Sequence, residues 1–549
     1  MEVLTATEPK TAPVPPRVTS IDEAKRHKRA SRLVSKAASL KLEGKIEAAV
    51  QMLRKSIDAG EREAAMYSAL GHLQYEMRDF QAAAVTYAQL AEREPGHRTA
   101  YFNLGVCQGN LKNWKAAVES FRQAAEADSA RSDALLGLGI SLIHNGSPAQ
   151  AVEPLERYLD VFPDHEQALF GKAVALQQIG RPQEAVEHYR KALARNPRSE
   201  EALSNLVALF LERKDVESVR HWAAMLAELK PESAVATEAL AALAFADGDY
   251  LTAVRHCLAL TEAAPQRFEN WFNLGVAQHK LGNHKKAAQA YQHATGIKPD
   301  SAQAHLNLGV ACQELSDLAS ARACYEKALE VDPHQPGALW NLALVLEQQG
   351  ERERAGKLYS AVPEGAPEWC DAVFRLGYLR LMRGEYPASA AAFESCLAKR
   401  PDWPEAFLNA GIAHVRSGDA ERARQLFHEA LMMRPDSSDA LRGLAALALD
   451  EGNLEEAFDL HQRLIELGDH SPELFYNAGL ICQKNGRTQD AVRFYQRALG
   501  EDPLFAEALL NLGHAFMTLG QEEEAQTSWR KAIREKPELA QQYFDPSEI

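Results

Sequence analysis

Cysteine is scarce in this chain, and its distribution argues against a disulfide framework. Only 7 of the 549 residues are cysteine, an odd number, and no two of them form a CxxC pair. Cysteines that are scattered in this way usually serve as small buried hydrophobic residues in a reducing compartment. We therefore expect a cytoplasmic protein.

Long hydrophobic runs are also missing. No stretch of about 18 uninterrupted apolar residues occurs, which is the length that a membrane-spanning helix needs. The first 20 residues lack the apolar core of a secretory signal peptide. The sequence therefore predicts no membrane insertion and no secretion.

Basic residues are in the minority, which argues against a nucleic-acid partner. Lysine and arginine number 61 against 76 aspartates and glutamates, so the formal charge is -15 and the isoelectric point is near 5.7. A nucleic-acid-binding face must neutralise phosphates with basic side chains. The composition favours a surface that binds other proteins.

Catalytic signatures are absent as well. The sequence contains no HExxH, no P-loop and no nucleophile elbow. His279 and His284 lie five residues apart without a third ligand, so they favour surface histidines over a metal site. We expect no enzyme activity, no metal and no cofactor.

What the chain does contain is a 34-residue period that repeats fifteen times from Ala30 to Leu539 without an insertion or deletion. Position 7 of the unit is Leu in 11 copies, and position 8 is Gly or Ala in 14. Position 20 is Ala in 13 copies, and position 32 is Pro in 12. A period of this size predicts a solenoid.

Each repeat predicts a pair of helices. Apolar or small residues at positions 4, 7, 8 and 11 form a stripe at helical spacing, which predicts a first helix, A. A Gly or polar residue near position 15 interrupts it, and a second stripe at 17, 20, 24 and 27 predicts helix B. Small residues at positions 8 and 20 predict a close crossing of the two helices. Proline at position 32 ends helix B.

The pattern resembles the tetratricopeptide repeat family, with bulky, small and proline positions in the order that the family shows. In the eighth repeat these positions are held by Trp271, Leu274, Gly275, Ala287, Tyr291, Ala294 and Pro299. The resemblance covers roughly nine tenths of the chain. It implies an all-α, right-handed superhelix of helix pairs, with a concave groove lined mainly by the A helices.

The repeats define the expected domain organisation. Residues 1–20 are rich in proline and predict a disordered lead, and residues 21–29 predict a short basic helical lead-in. The repeats occupy 30–539, and 540–549 are expected to form a short cap. Departures from the pattern suggest softer joints near 200–267, where Val207 and Val219 replace small residues, and near 362–369.

Asparagine at position 6 is the main candidate for ligand binding. Helical geometry places positions 2, 5, 6, 9, 12 and 13 on the face opposite helix B, which is the expected groove. The eight asparagines are Asn103, Asn205, Asn273, Asn307, Asn341, Asn409, Asn477 and Asn511. Their amides can donate to and accept from a peptide backbone, similar to the asparagine ladder of the O-linked N-acetylglucosamine transferases. A purely internal role in hydrogen bonding remains an equal alternative.

Two further groups of residues fall on the expected groove. Position 5 carries aromatic side chains, of which Phe272, Trp340, Phe374 and Tyr476 are the candidates for apolar pockets. Packing between successive A helices is the competing interpretation. Position 2 often carries a carboxylate, as at Asp371 and Glu405, which suggests either a solvated edge or a selector for basic ligands.

The sequence therefore predicts a cytoplasmic, non-enzymatic adaptor that holds extended or amphipathic protein segments in its groove. Two alternatives remain. One is the recognition arm of a glycosyltransferase whose catalytic part is a separate chain. The other is a structural scaffold that self-associates.

Overall fold

The computed structural model describes residues 20–97, 99–127 and 132–539. Over these residues the protein has thirty helices and no strand, which confirms the all-α solenoid. The first fourteen helices are α1 (Ser20–Leu42), α2 (Ile46–Asp58), α3 (Ala64–Glu76), α4 (Phe80–Arg93), α5 (Ala100–Asn110), α6 (Trp114–Ala127), α7 (Ser132–His144), α8 (Pro148–Val161), α9 (Glu166–Gln178), α10 (Pro182–Arg195), α11 (Glu200–Glu212), α12 (Val216–Leu229), α13 (Ala234–Ala246) and α14 (Tyr250–Ala263).

The remaining helices continue the alternation, so that odd numbers are A helices and even numbers are B helices. They are α15 (Phe268–Lys280), α16 (His284–Ile297), α17 (Ala302–Glu314), α18 (Leu318–Val331), α19 (Pro336–Gln348), α20 (Arg352–Ala361), α21 (Trp369–Met382), α22 (Tyr386–Lys399), α23 (Pro404–Ser417), α24 (Ala420–Met433), α25 (Ser438–Asp450), α26 (Leu454–Glu466), α27 (Pro472–Lys484), α28 (Thr488–Glu501), α29 (Ala506–Thr518) and α30 (Glu522–Glu535).

The contacts divide the chain into two compact units, Met1–Pro265 and Gln266–Ile549. Within each unit every helix packs against the next one, as expected for a solenoid. Successive A helices also contact each other, for example α7 with α9 in the first unit and α17 with α19 in the second. Contacts of similar extent between successive B helices are absent from the described residues. Within each unit the A helices therefore form the inner face.

The turn between helices A and B has the same backbone conformation in every repeat. Position 15 has a positive φ in all fifteen copies, from 56° at Lys214 to 87° at Gly418. Eleven of these residues are glycine, which adopts this conformation without steric cost. The following residue often caps helix B, as when Asp317 accepts a hydrogen bond from the Ser320 backbone N–H at 3.0 Å. The predicted break near position 15 is confirmed.

The small residue at position 8 accommodates a ring from helix B. A Cβ atom on Gly275 would lie 2.5 Å from Cε1 of Tyr291, and one on Gly309 would lie 2.5 Å from Cε1 of Tyr325. Both tyrosines occupy position 24 of their repeats. The sequence predicted that position 8 is small because it approaches position 20. In the structure the ring at position 24 fills the space beside position 8.

In the sixth repeat the larger residue is at position 8 and the smaller residue is at position 24. Val207 occupies position 8, and Ala223 replaces the ring at position 24; both are fully buried. Val219 at position 20 is also buried. The smaller residue on helix B leaves room for the larger one on helix A, which approximately conserves the volume. The softer joint proposed for 200–267 stays a prediction.

Some of the expectations concern the ends of the chain and the tenth repeat. The segment 21–29 is part of the continuous helix α1. The expected disordered lead and C-terminal cap lie outside the described residues, at 1–19 and 540–549. Helix α20 has 10 residues and ends at Ala361, before Pro363. Whether 362–369 act as a hinge stays a prediction.

Candidate functional site

The position-6 asparagines have different environments. The Asn205 amide donates to the Tyr189 hydroxyl at 2.9 Å, and this hydroxyl donates to Oε1 of Gln177 at 2.7 Å. Tyr189 belongs to the preceding repeat, so this network joins neighbouring repeats. At the equivalent places Asn103 and Asn307 interact with Tyr87 and Tyr291, and this interaction lowers the pKa of each tyrosine against the larger effect of burial, which raises the pKa of Tyr291 to about 12. The Asn205 contact corresponds to the internal role that the sequence left as an alternative.

The other five asparagines fall into two groups. Asn511 donates to the hydroxyl of Tyr476 at 2.9 Å, and Asn409 donates to the carbonyl oxygen of Glu405 at 2.8 Å. Among the described residues, no hydrogen-bond partner is found for the amides of Asn273, Asn341 and Asn477. These three asparagines all lie in the second unit.

A pattern within the sequence separates these groups only in part. Five asparagines follow a tyrosine at position 24 of the preceding repeat: Asn103, Asn205, Asn307, Asn341 and Asn511. One of them, Asn341, is nevertheless without a partner among the described residues. After a phenylalanine, position 6 is glycine in two cases, Gly137 after Phe121 and Gly443 after Phe427, and asparagine in the third, Asn409 after Phe393. A Cβ atom on Gly137 would lie 2.5 Å from Cε1 of Phe121. Position 6 therefore lies against the ring of the repeat before it.

The candidate aromatic residues at position 5 are half-buried, and each contacts the ring at position 24 of its own repeat. The centroid distances are 5.9 Å for Phe272 with Tyr291, 5.6 Å for Trp340 with Tyr359, 5.2 Å for Phe374 with Phe393 and 5.9 Å for Tyr476 with Tyr495. These contacts bury part of the surface of each aromatic side chain. Trp340 and Phe374 line one common cavity.

Two adjoining cavities lie on the A helices of the tenth to twelfth repeats. The larger has a volume of about 500 Å³ and is lined by Trp340, Asp371, Phe374, Arg375, Tyr378, Trp403, Glu405 and Asn409. The smaller has a volume of about 380 Å³ and is lined by Leu344, Glu347, Gln348, Arg352, Arg375, Tyr378, Leu379 and Met382. Arg375 and Tyr378 line both cavities, so the two cavities adjoin each other.

Exposed apolar side chains accompany these cavities. Tyr378 is 43% exposed and Met382 is 62% exposed, and they lie one helical turn apart on α21. Their repeat positions, 9 and 13, belong to the face that the sequence predicts for the groove. Trp403 was not anticipated, because it lies in the loop before α23. Cζ of Arg400 lies 4.5 Å from the centroid of the Trp403 ring.

Sequence comparison accounts for the repeated hairpins. Models described as "Tetratricopeptide repeat" match residues 68–132, 108–166, 136–200, 176–243, 302–335, 408–472 and 483–543, and one described as "TPR repeat" matches 275–316. The chain belongs to the tetratricopeptide repeat family. A search of the curated proteins found no match.

Solved structures of other tetratricopeptide proteins show similar helices. MamA is 22% identical, with a TM-score of 0.29, and the match covers 30% of this chain and 96% of MamA. YrrB, described as a TPR protein with an unusual peptide-binding site, is 20% identical, with a TM-score of 0.32 over 34% of this chain and 96% of YrrB. The Cut9-Hcn1 structure is 13% identical, with a TM-score of 0.31 over 82% of this chain and 96% of the matched chain.

Two of the acidic residues at position 2 of these tetratricopeptide repeats have a close basic partner on the same hairpin. Glu405 contacts Arg434 at 2.7 Å, and Glu507 contacts Lys536 at 2.6 Å. Both basic residues occupy position 31 of the same repeat, after helix B. The Lys536 ammonium lowers the pKa of the Glu507 carboxyl through its hydrogen bond. These pairs link the two ends of a hairpin, so the carboxylates do not form a free acidic edge.

Arginine replaces the asparagine at position 6 in the eleventh tetratricopeptide repeat. The Arg375 guanidinium lies 3.5 Å from Oε1 of Glu347, and the Tyr359 hydroxyl donates to Oε2 of that carboxylate at 2.7 Å. Burial and the adjacent Glu347 carboxylate raise the pKa of Tyr359. Arg375 is therefore placed between the two cavities, with 48% of its side chain exposed.

Two further findings concern the described part of the chain. None of its helices is long and apolar enough to cross a membrane. It also contains no group of three or more histidine, cysteine, aspartate or glutamate side chains that could hold a metal ion.

Proposed function

We propose that this tetratricopeptide protein is a non-catalytic adaptor that holds a partner segment across the A helices of the tenth to twelfth repeats. Protein-interaction scaffolding is the function that the repeat architecture supports, and the specific surface is the proposal. The two adjoining cavities are the observation that carries it. Their volumes lie within the usual range for ligand sites, and half of the residues that line each cavity are aromatic or aliphatic.

The free asparagine amides add a second element to the proposed surface. Asn341 lies one residue from Trp340 on α19, and Asn273 and Asn477 present amides of the same kind elsewhere in the second unit. An amide can donate to a carbonyl oxygen and accept from an N–H, so it can bind a peptide group whatever side chain the partner carries. The proposed ladder is limited to these three residues.

We infer that the partner is a protein and that the chain acts in the cytoplasm. The net charge of -15 disfavours nucleic acid. All seven cysteines are free thiols, which is consistent with a reducing compartment.

The test is affinity capture from native cell extract, with bound proteins identified by mass spectrometry. The test variant carries Tyr378→Ser and Met382→Ser, which remove exposed apolar surface from the cavities. The control carries Met432→Ser and Leu467→Ser, which remove exposed apolar surface from helix α24 and from the residue after α26. A third variant carries Asn273→Ala, Asn341→Ala and Asn477→Ala.

We expect the cavity variant to lose partners that the control retains. The asparagine variant should bind the same partners more weakly, at about 1 kcal/mol for each net hydrogen bond. Identical sets of partners for wild type and cavity variant would refute the proposed surface. Loss from the control alone would favour self-association or binding through the B helices.

A further inference from the structure

Arg375 is the feature of the cavities that indicates a specific ligand chemistry. Elsewhere position 6 carries a neutral amide in eight repeats, including Asn341 and Asn409 on either side of Arg375. The eleventh repeat therefore replaces an amide by a cation at the point where the two cavities meet. This inference rests on the proposed function, because it concerns the same surface.

Two carboxylates that line the cavities already have a close partner in this chain. Glu405 contacts Arg434 at 2.7 Å, and Glu347 accepts a hydrogen bond from the Tyr359 hydroxyl at 2.7 Å. Asp371 lies 3.9 Å from Arg400, which is beyond hydrogen-bond distance. A basic ligand would have to compete with Arg434 for Glu405.

Arg375 itself is incompletely bound. Among the described residues, the Arg375 guanidinium contacts Oε1 of Glu347 at 3.5 Å, which is longer than the 2.7–2.9 Å that is usual for such pairs. Arg424 provides a comparison, because it contacts Glu451 and Glu456 at 2.6 Å each and is only 19% exposed. Arg375 therefore retains donor capacity for an anionic group.

Trp403 in the aromatic wall already has partners from this chain. Phe374 stacks on Trp403 with centroids 4.4 Å apart, and the Arg400 guanidinium lies 4.5 Å from the Trp403 centroid. These two groups cannot share one face of the indole, so both faces are covered. The cation–π position on Trp403 is filled by the chain itself. Trp340, Phe374 and Tyr378 leave an apolar space for a bulky side chain.

We propose that the two cavities bind an acidic peptide segment that carries two bulky apolar side chains, the first of them aromatic. On α21 the smaller cavity is displaced by about four residues from the larger one, which corresponds to about 6 Å. Alternate side chains of an extended peptide are about 7 Å apart on one face. The aromatic side chain fills the larger cavity, the second fills the smaller one, and an adjacent carboxylate pairs with Arg375.

The test measures fluorescence anisotropy of labelled peptides with the full chain. The acidic probe is GSEWELES, the basic probe is GSKWKLKS, and GSEAEAES lacks both anchors. Arg375→Asn restores the residue of the neighbouring repeats. Arg383→Asn is the control, because Arg383 is an exposed arginine just after the same helix and outside both cavities.

We expect the acidic probe to bind at least tenfold more tightly than the basic probe and the probe without anchors. Arg375→Asn should weaken the acidic probe about tenfold, as for loss of one charge-assisted hydrogen bond. Arg383→Asn should have no effect. Equal or tighter binding of the basic probe, or no binding of the acidic probe, would overturn the inference. If the cavity variant still loses its partners in the capture experiment, the proposed function survives that result.

Discussion

The fifth-to-sixth and tenth-to-eleventh repeat junctions use the same three repeat positions in different ways. At the first junction Asn205, Tyr189 and Gln177 form a neutral chain of hydrogen bonds at 2.9 and 2.7 Å. At the second, Tyr359 donates to Glu347 at 2.7 Å, while Arg375 remains 3.5 Å from the carboxylate. The first junction links all three groups by hydrogen bonds, whereas the second leaves a cation half-exposed beside two cavities.

This difference shows that a repeat position does not determine a role by itself. Position 6 faces the ring of the preceding repeat in both junctions, but its side chain either binds that ring or extends beyond it. An asparagine is short enough to be held by the tyrosine hydroxyl. An arginine is longer and reaches the carboxylate and the solvent.

The largest expected effect is the cost of removing the tyrosine hydroxyl. This cost should differ between the two junctions because only the second junction has a charged acceptor. Tyr359→Phe should destabilise the tenth repeat by about 2 kcal/mol, because the Glu347 carboxylate loses a donor in a site that is only 18% exposed. Tyr189→Phe should cost about 1 kcal/mol, because it breaks neutral hydrogen bonds only. Hydrogen exchange of α19–α20 and of α9–α10 measures the two local opening energies. Equal costs would contradict the contrast.

The next effect is the cost of replacing the glycine in the turn between helices A and B, and this cost should be the same at both junctions. Gly180 and Gly350 have φ values of 77° and 83° at position 15 of the fifth and tenth repeats. Replacing either by alanine should cost about 1 kcal/mol, because an L-residue is strained in this region. Gly500→Ala is the control, since it lies in a helix and its added Cβ meets open space. Hydrogen exchange of the adjacent hairpins gives the measurement, and unequal costs would indicate that the turns differ.

A third effect is a pH dependence at the first junction. Burial, together with Lys172 and Lys191, lowers the pKa of His188 to about 4. The unfolded chain binds this proton near pH 6.5, so the stability contribution is present above that pH and is lost as the pH falls towards 4. Thermal unfolding between pH 7 and 4 should therefore show a steeper loss for wild type than for His188→Gln. Parallel curves would exclude the contribution.

Much of the fold was predictable because the 34-residue period constrains each position fifteen times. The apolar stripe that includes leucine at position 7 indicates helix A, and proline at position 32 indicates the end of helix B, through local chemistry alone. The role of position 8 was harder to predict, because the ring that fills the space beside Gly275 is sixteen residues away, at Tyr291. Compensation in the sixth repeat between Val207 and Ala223 likewise depends on three-dimensional contact.

The site was predictable only in part. Helical geometry identified the face that carries Trp340, Phe374, Tyr378 and Met382. It did not distinguish the asparagines that bind a tyrosine from those that remain free, because a tyrosine in the previous repeat is not sufficient: Asn205 binds Tyr189, whereas no partner is found among the described residues for the amide of Asn341, although Tyr325 precedes it. The pairing of Glu405 with Arg434 also joins residues 29 positions apart and has no local signal.

The most direct test of the account is site-specific photo-crosslinking in native cell extract. A benzophenone amino acid at Met382 lies in the smaller cavity, and the same amino acid at Met432, which is 70% exposed, lies on the B helix α24. The account predicts that a partner is captured from position 382 and not from position 432, and that Arg375→Asn reduces the yield at 382. Capture from position 432 alone would contradict it.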